Sequence, residues 1–169
     1  MAVLSFVARP APRACNAAAI YVETILAMRV LVADDSPIVQ GAITDLLRAT
    51  DIMTVIRATD GAEAVRLAAE GHPDVVILDF DMPGMNGIEA ARAIRERSPA
   101  MPLILITATA SEYLIATALA AGFAGFLLKR DVGEDLVRAI DAVRFGATFV
   151  SPGAARALYE RFLPSARLA

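Results

Sequence analysis

The chain has 169 residues, of which 57% are hydrophobic and 21% charged, so it holds enough apolar material for one folded domain. Its formal net charge of -3 argues against a nucleic-acid-binding surface, because such surfaces usually carry a basic stripe. Cys15 is the single cysteine, which excludes an internal disulfide and fits a reducing compartment. No apolar run reaches the roughly 18 residues that a membrane span needs.

Residues 1–27 differ in composition from the rest of the chain. Pro10 and Pro12, flanked by arginines, exclude a helix interior or a central strand there. A signal peptide would place charges before an apolar core, whereas here the arginines and prolines follow an apolar start. We therefore expect 1–27 to be a loose N-terminal extension and the domain to begin at Met28.

The first strand and helix of the domain are predicted directly after this extension. Val30–Ala33 is a short apolar run that ends at Asp34 and Asp35. Ser36 is the expected helix N-cap, and Pro37 fits the first turn. An apolar stripe is expected on this helix at Ile38, Ala42, Ile43, Leu46 and Leu47.

A second strand and helix follow at 52–58 and after Asp60. The residues of 52–58 are rich in β-branched side chains, which favours a strand. Asp60 and Glu63 have the spacing of a capping box, and Gly71 is the expected end of the helix.

The third strand, Val75–Leu78, consists of four apolar residues without alternation. Such a run predicts a strand that is buried on both faces, and it ends on the carboxylate of Asp79. Pro83, Gly84 and Asn86-Gly87 then predict a loop. A helix is expected from about Asn86 to Arg97, with its inward residues at Ile88, Ala91 and Ile94.

Two further units complete the pattern. A strand at 103–106 ends at Thr107, and Ser111 is expected to cap a helix that Gly122 closes, with inward residues Leu114, Ile115, Ala118 and Leu119. A strand at 126–128 ends at Lys129. Asp131 and Glu134 predict a capping box for a helix that Gly146 stops, with core residues Leu136, Val137, Ile140 and Val143.

One more amphipathic helix is predicted after Ser151-Pro152, ending before Pro164. Its apolar residues recur at helical spacing, at Ala155, Leu158, Tyr159 and Phe162. The stripe is either an interaction surface or a face that docks on the domain's own core. We expect one domain over 28–147, followed by this helix and linker over 148–169.

Chemically reactive side chains end four of the five strands. Because alternating strands and helices predict a parallel sheet, Asp34, Asp35, Asp79, Thr107 and Lys129 are expected along one sheet edge. Crowded carboxylates need a cation, and all-oxygen ligands suit Mg²⁺. A lysine and a hydroxyl supply the positive charge and the donor that a phosphoryl group needs. The pattern predicts phosphoryl transfer to a carboxylate.

These motifs, in this order, make Val30–Phe145 similar to the receiver domain of bacterial two-component response regulators. The resemblance implies a flavodoxin-like α/β fold: a doubly wound, five-stranded parallel sheet of (βα)5 type with strand order 2-1-3-4-5. It also implies a cytoplasmic phosphoprotein of signal transduction. Such a protein takes phosphate from a histidine kinase or a histidine phosphotransfer protein and catalyses only its own phosphorylation and dephosphorylation.

The resemblance also assigns roles in the site. Asp79 would be the phosphoacceptor and a metal ligand; Asp35 would bind Mg²⁺ directly and Asp34 through water, with the Asp81 backbone carbonyl as a further ligand. Thr107 would close on the phosphoryl oxygens, and Lys129 would pair with them. Phe126 matches an aromatic residue that rotates inward as Thr107 moves. Phe126 also fits a plain core position.

Two departures from the family pattern concern Arg130 and Asp81. Many receivers carry a proline with a cis bond after the lysine, where this chain has Arg130, so the resemblance leaves the path of this loop open. Asp81 adds a carboxylate beside the phosphorylation site, where it is expected to affect the lifetime of the phosphate.

The segments 125–131 and 149–152 are most similar to the receiver subgroup that usually precedes a LuxR-type helix-turn-helix domain. The chain ends about where the linker to that domain would begin. Two versions follow: a stand-alone receiver, or the receiver part of a truncated DNA-binding regulator. We expect no direct nucleic-acid binding and no membrane contact by this chain, and a homodimer stays open.

Two other classes fit less well. Asp79-Phe80-Asp81 after an apolar strand is similar to the nucleophile motif of haloacid-dehalogenase-like phosphatases, but that family keeps its metal-binding acids later in the chain, and here the acidic pair comes first. A nucleotide-binding fold is excluded because no glycine-rich loop follows the first strand.

Overall fold

The computed structural model describes residues 28–50 and 53–162, in which strands and helices alternate along the chain. The strands are β1 (Met28–Ala33), β2 (Met53–Ala58), β3 (Val75–Asp79), β4 (Leu103–Thr107), β5 (Gly125–Leu128) and β6 (Phe149–Val150). The helices are α1 (Pro37–Arg48), α2 (Gly61–Gly71), α3 (Gly87–Arg97), α4 (Glu112–Ala120), α5 (Val132–Arg144) and α6 (Pro152–Phe162). A 3₁₀ turn, Lys129–Asp131, joins β5 to α5.

The strands form one parallel sheet with the order β2-β1-β3-β4-β5-β6. The predicted order 2-1-3-4-5 is confirmed, but the prediction of five strands is wrong, because β6 adds a sixth at the edge. The Phe149 N–H donates to the Ala124 carbonyl at 2.9 Å, and the Ser151 N–H donates to the Phe126 carbonyl at 2.9 Å. Two residues are too short a run to produce a recognisable strand pattern in the sequence.

Helices cover both faces of the sheet, as the continuous apolar strands predicted. Successive strand side chains point to opposite faces, so each strand feeds two separate cores. One core joins Leu31, Leu78 and Leu105 to residues of α2, α3, α4 and the start of α6. The other joins Val32, Ile77 and similar residues to α1 and α5.

The predicted apolar faces of two helices need correction. On α1, Ile43 and Leu47 are buried, but Ile38 is 84% exposed and Ala42 is also exposed. The buried face of α1 is completed instead by Gln40, whose amide donates to the Ala58 carbonyl at 2.6 Å, and by Thr44. On α4, Leu119 is 55% exposed, while Leu114, Ile115 and Ala118 are buried as predicted.

Several helix ends also differ from the predictions. Ser36 occupies the N-cap of α1 without a side-chain hydrogen bond; its own N–H donates to Asp34 Oδ1 at 2.9 Å. Asp60 accepts from the Glu63 N–H, but the Glu63 carboxylate accepts from Thr59 rather than completing the box. The helix α2 ends at Gly71, as predicted, but the residue in the left-handed conformation is the next one, His72, with φ 44°.

The predicted capping box at Asp131 and Glu134 is wrong. Asp131 makes no side-chain cap to α5, because it is the last residue of the 3₁₀ turn and its carboxylate accepts from Ser151. By contrast, the Ser111 cap and the glycine stops at Gly122 and Gly146, both with positive φ, are confirmed. Asn86 forms a full capping box with Glu89.

The helix predicted after Ser151-Pro152 is present as α6. Ala154 is fully buried against the sheet, whereas Ala155 is exposed and Tyr159 is 64% exposed. The side chains of Leu158 and Phe162, and all of Pro164, lie outside the described residues, so the role of the stripe stays a prediction. Within 28–50 and 53–162, no helix combines the length and apolar character that crossing a bilayer demands.

Candidate functional site

The carboxyl ends of β1, β3, β4 and β5 lie along one edge of the sheet and carry the predicted polar residues. Asp34 and Asp79 are each 2% exposed, and Thr107 is 1% exposed. Asp35, next to Asp34, is exposed to solvent. The parallel register of β1 with β3 and of β3 with β4 brings these ends to the same height, as the strand pattern predicted.

Lys129 lies between the two buried carboxylates. Its Nζ donates to Asp79 Oδ2 at 2.9 Å and lies 3.0 Å from Asp34 Oδ2. Burial alone would lower the pKa of Lys129, but the contacts with Asp79 and Asp34 outweigh it, so its pKa is raised above 10.5. The amine is therefore a fixed cation at neutral pH, at the end of β5.

Burial raises the pKa of Asp79 above its ordinary value of 3.8, and the negative charge of Asp34 acts in the same direction. The hydrogen bond from Lys129 opposes this shift without cancelling it. In the described residues, Asp79 Oδ1 has no hydrogen-bond partner, and Asp34 Oδ2 meets Lys129 as an ion pair without hydrogen-bond geometry. A buried carboxylate oxygen without a donor raises the free energy of the folded state, so a bound cation would stabilise this site.

Asp34, Asp35 and Asp79 fit a hard divalent cation. One carboxylate oxygen from each lies within 4.8 Å of the other two. Carboxylate oxygens with room for water at the exposed Asp35 are a donor set that suits Mg²⁺. The oxygen of Asp79 without a donor supports the same interpretation.

Two glycines fix the loop that follows Asp79. A Cβ at Gly87 would collide with the backbone carbonyl of Asp79, and a Cβ at Gly61 would collide with the carbonyl of Met85. The Phe80 N–H donates to the Ile106 carbonyl at 2.9 Å, and the Gly87 N–H donates to the Phe80 carbonyl at 3.2 Å. In the sequence, Gly87 fits a loop, and no local pattern indicates that it lets α3 approach the strand end.

Thr107 and Phe126 lie where the strand pattern placed them. The Thr107 hydroxyl is not hydrogen-bonded to the carboxylates of Asp34 or Asp79. The Thr107 hydroxyl donates to the Thr109 carbonyl at 3.0 Å, within its own loop. Phe126 is 4% exposed and belongs to the core that Leu105 and Ile115 also line.

The described peptide bonds include no cis bond, so Lys129 and Arg130 enter the 3₁₀ turn through a trans bond. Arg130 is exposed, and its Nε lies 3.7 Å from Asp131 Oδ1. The loop that carries Lys129 therefore turns without a proline.

Ser151 is a buried polar residue, for which the sequence predicted a place before a helix and within the segment 149–152, but no contact. It is 0% exposed, and its hydroxyl donates to Asp131 Oδ2 at 2.5 Å. Asp131 and Ser151 lie 20 positions apart, and no local spacing rule connects them. The sequence therefore held no signal for this contact.

The family model described as "Response regulator receiver domain" matches residues 30–141. Among curated proteins, the chain is 34% identical over 123 residues to the nitrate/nitrite response regulator protein NarL of Escherichia coli strain K12, covering 72% of this chain and 57% of that protein. It is 36% identical over 137 residues to the uncharacterized transcriptional regulatory protein YxjL of Bacillus subtilis strain 168, covering 80% and 63%. The chain thus spans less than two-thirds of the length of these relatives.

Solved structures give the same grouping. The signal receiver domain of the putative response regulator NarL from Mycobacterium tuberculosis is 35% identical, with a TM-score of 0.67, over 71% of this chain and 98% of that one. A LuxR-family two-component response regulator from Aurantimonas sp. SI85-9A1 is 32% identical, with a TM-score of 0.76, over 82% and 99%.

Proposed function

The chain belongs to the family of response regulator receiver domains of two-component systems, and from this premise we propose that it is phosphorylated on Asp79 and signals by the resulting change in shape. The observation that carries the proposal is the position of Asp79: a buried carboxylate at a strand end, held on one oxygen by Lys129 and without a donor on the other. A receiver domain is not a classical metabolic enzyme.

The proposed step is transfer of a phosphoryl group from a phosphohistidine donor. An oxygen of the Asp79 carboxylate attacks phosphorus and forms a P–O bond, while the bond from phosphorus to the donor nitrogen breaks and its electron pair leaves with the donor. Lys129 is already in place to neutralise charge on the transferred group. Thr107, whose hydroxyl is engaged by Thr109, would turn to the phosphoryl oxygens, and Phe126 would follow it.

The metal site is proposed from the three clustered carboxylates. Asp79 and Asp35 would hold Mg²⁺ directly, Asp34 would hold it through water, and the Asp81 backbone carbonyl would be a further ligand. When bound, the ion supplies positive charge to the phosphoryl oxygens and screens the acidic cluster.

The extent of the signalling unit and its setting are also proposals. We divide the chain into an extension at 1–27, a receiver at 28–147, and a helix and linker at 148–169. The pairing of β6 with β5 supports including the start of the last segment in the packed unit. A cytoplasmic location and a histidine kinase or phosphotransfer protein as donor follow from the family.

A longer protein is a second version of the same function. The curated relatives are regulators of which the chain covers 57% to 63%, and one structural neighbour is described as LuxR family. In that version a DNA-binding domain follows the receiver. Sequencing the gene beyond the codon for Ala169 distinguishes the two versions.

The test is labelling with acetyl phosphate and Mg²⁺, followed by mapping of the label. Wild-type protein should take one phosphoryl group on Asp79, and Asp79→Ala should take none. Asp81→Ala is the matched control, because it removes an exposed carboxylate two positions away and should still be labelled. Undiminished label in Asp79→Ala would sink the assignment.

A further inference from the structure

Ser151 lies at the centre of a buried hydrogen-bond network between the start of α6 and the end of β5. Its hydroxyl accepts from the Leu128 N–H at 3.4 Å and from the Ala154 N–H at 3.3 Å, and it donates to Asp131 Oδ2 at 2.5 Å. A serine hydroxyl offers one hydrogen and two lone pairs, so all of its hydrogen-bonding capacity is used. At 0% exposure, water cannot replace any of these bonds.

This one hydroxyl holds both ends of the turn that carries the site's cation. Leu128 directly precedes Lys129, and Asp131 is the last residue of the 3₁₀ turn. Lys129 Nζ is in turn 2.9 Å from Asp79 Oδ2. Ser151 therefore connects to the phosphoacceptor by two contacts: its own with the three-residue turn, and that of Lys129 in this turn with Asp79.

The backbone at the start of α6 is tied to the same place. The Ser151 N–H donates to the Phe126 carbonyl at 2.9 Å, and the Ala155 N–H donates to the Ser151 carbonyl at 2.9 Å. A Cβ at Gly153 would collide with the Asp131 carboxylate, so the first turn of α6 packs directly on that side chain. The Lys129 turn and the first turn of α6 cannot move independently.

We propose that Ser151 is a positioning residue for Lys129 and couples the phosphorylation site to α6, which makes α6 the output element of this domain. The inference rests on the proposed phosphorylation of Asp79 and names the element that reads it out. Because the Ser151 hydroxyl joins the two segments, a change at Ser151 should alter the position of Lys129 and so the rate of phosphorylation, and phosphorylation should alter α6.

The first experiment measures the rate of Asp79 labelling by acetyl phosphate in single and double variants of the full chain. Ser151→Ala should slow labelling about tenfold, because Lys129 loses its fixed position. Asp131→Ala should do the same, while Asp131→Asn, which keeps an acceptor oxygen, should stay near the wild-type rate. In a Lys129→Ala background, Ser151→Ala should cause no further slowing, since it acts through that lysine.

The matched control is Val143→Ala. Val143 lies in the last turns of α5 and is 2% exposed, so this change weakens the core without touching the network. Each variant is labelled well below its own unfolding temperature. If Ser151→Ala and Asp131→Ala label as fast as Val143→Ala, or if Ser151→Ala still slows the Lys129→Ala protein, the positioning role is overturned.

The second experiment follows amide hydrogen exchange in α6 with and without the phosphodonor. Phosphorylation should change exchange at residues 154–157 in wild type, but not in Ser151→Ala labelled to the same extent. A change that persists in Ser151→Ala overturns the coupling. A wild type that takes no label refutes the proposed function instead. Even then, unlabelled Ser151→Ala should exchange faster at 128–131, and unchanged exchange there refutes the positioning.

Discussion

The four carboxylates of the site form an inner and an outer pair. The inner pair, Asp34 and Asp79, is 2% exposed and lies against Lys129, whereas the outer pair, Asp35 and Asp81, is exposed. Burial in the inner pair makes each charge costly unless a cation is near, so stability and chemistry are linked there. The outer pair is solvated, and changes there should affect bound ligands and leave the fold intact.

The largest expected effect comes from displacing the backbone of Asp79, one member of the inner pair. Gly87→Ala places a Cβ against the carbonyl of Asp79, where only backbone can give way. We expect the free energy of unfolding to fall by about 3 kcal/mol, which is the cost of overpacking a close contact. Urea unfolding followed by circular dichroism measures it.

Gly41→Ala is the control for this change. Gly41 lies inside α1, and a Cβ there meets nothing within 4 Å. Alanine has the higher helix propensity, so we expect a gain of about 1 kcal/mol in the same assay. Equal losses in the two variants would show that the approach of Gly87 to Asp79 does not set the position of the inner pair.

Replacing one acid in each pair with a neutral asparagine tests whether the inner and outer carboxylates differ in metal binding. Asp35→Asn should weaken Mg²⁺ binding about tenfold, because it removes the charge of a direct ligand at the exposed side. Asp34→Asn should weaken it less, since Asp34 Oδ1 already accepts from the Ser36 N–H and Oδ2 lies beside Lys129. Isothermal titration calorimetry measures both, and wild-type affinity in Asp35→Asn would contradict the ligand role.

The inner pair should also make the metal-free protein less stable at neutral pH. Burial, followed by the charge of Asp34, raises the pKa of Asp79 in the folded state, although Lys129 opposes the shift. The folded protein then binds the proton more tightly than the unfolded chain does. The contribution of Asp79 to the free energy of unfolding is therefore greatest below pH 3.8, its pKa in the unfolded chain. It is lost as the pH rises through the higher pKa of the folded state.

Asp79→Asn removes this charge and keeps the shape of the side chain. In EDTA at pH 7 we expect it to raise the free energy of unfolding by about 1 kcal/mol, after allowing for the lost contact with Lys129. The gain should decrease as the pH falls and vanish well below 3.8, where Asp79 is protonated in both states. Thermal unfolding across pH measures it, and a variant that is less stable than wild type at pH 7 would show that the Lys129 contact outweighs burial.

The sequence predicted the part of the site that strand ends determine. Runs such as Val75–Leu78 are apolar on both faces, so the sequence shows clearly where each strand ends. Because the strands are parallel, Asp79 and Lys129 at two of these ends lie at the same edge of the sheet. The exposure of Ile38 was not predictable, because helical periodicity also fits the face that Gln40 and Thr44 complete through hydrogen bonds.

The other features that the sequence did not predict depend on contacts between segments far apart in the chain. Asp131 matches a capping box by spacing alone, but its carboxylate is taken by Ser151 from another element. Gly87 follows a strong helix cap at Asn86, and nothing local shows that the strand end approaches it closely. β6 is two residues long and exists because β5 offers an open edge.

The smallest expected effect concerns Asp81 of the outer pair, two residues beyond the proposed phosphoacceptor. A carboxylate near the path of the attacking water has two opposing effects on hydrolysis of the phosphate. As a general base it would orient the water and speed hydrolysis; as an added negative charge in an anionic site it would slow it. The exposure of Asp81 and the nearby Lys129 screen the repulsion.

A well-placed general base contributes about 10²-fold or more, but an exposed carboxylate without a fixed position should give far less. We therefore expect Asp81→Ala to lengthen the phosphate lifetime about twofold. Mg²⁺ affinity should change little, because the ligand proposed at this position is the backbone carbonyl. The measurement is the decay of labelled protein after the phosphodonor is removed, with Asp81→Asn as the control that keeps the shape and loses the base. Faster decay in both variants would mean that repulsion is the larger effect, and that the outer pair protects the phosphate instead of exposing it to water.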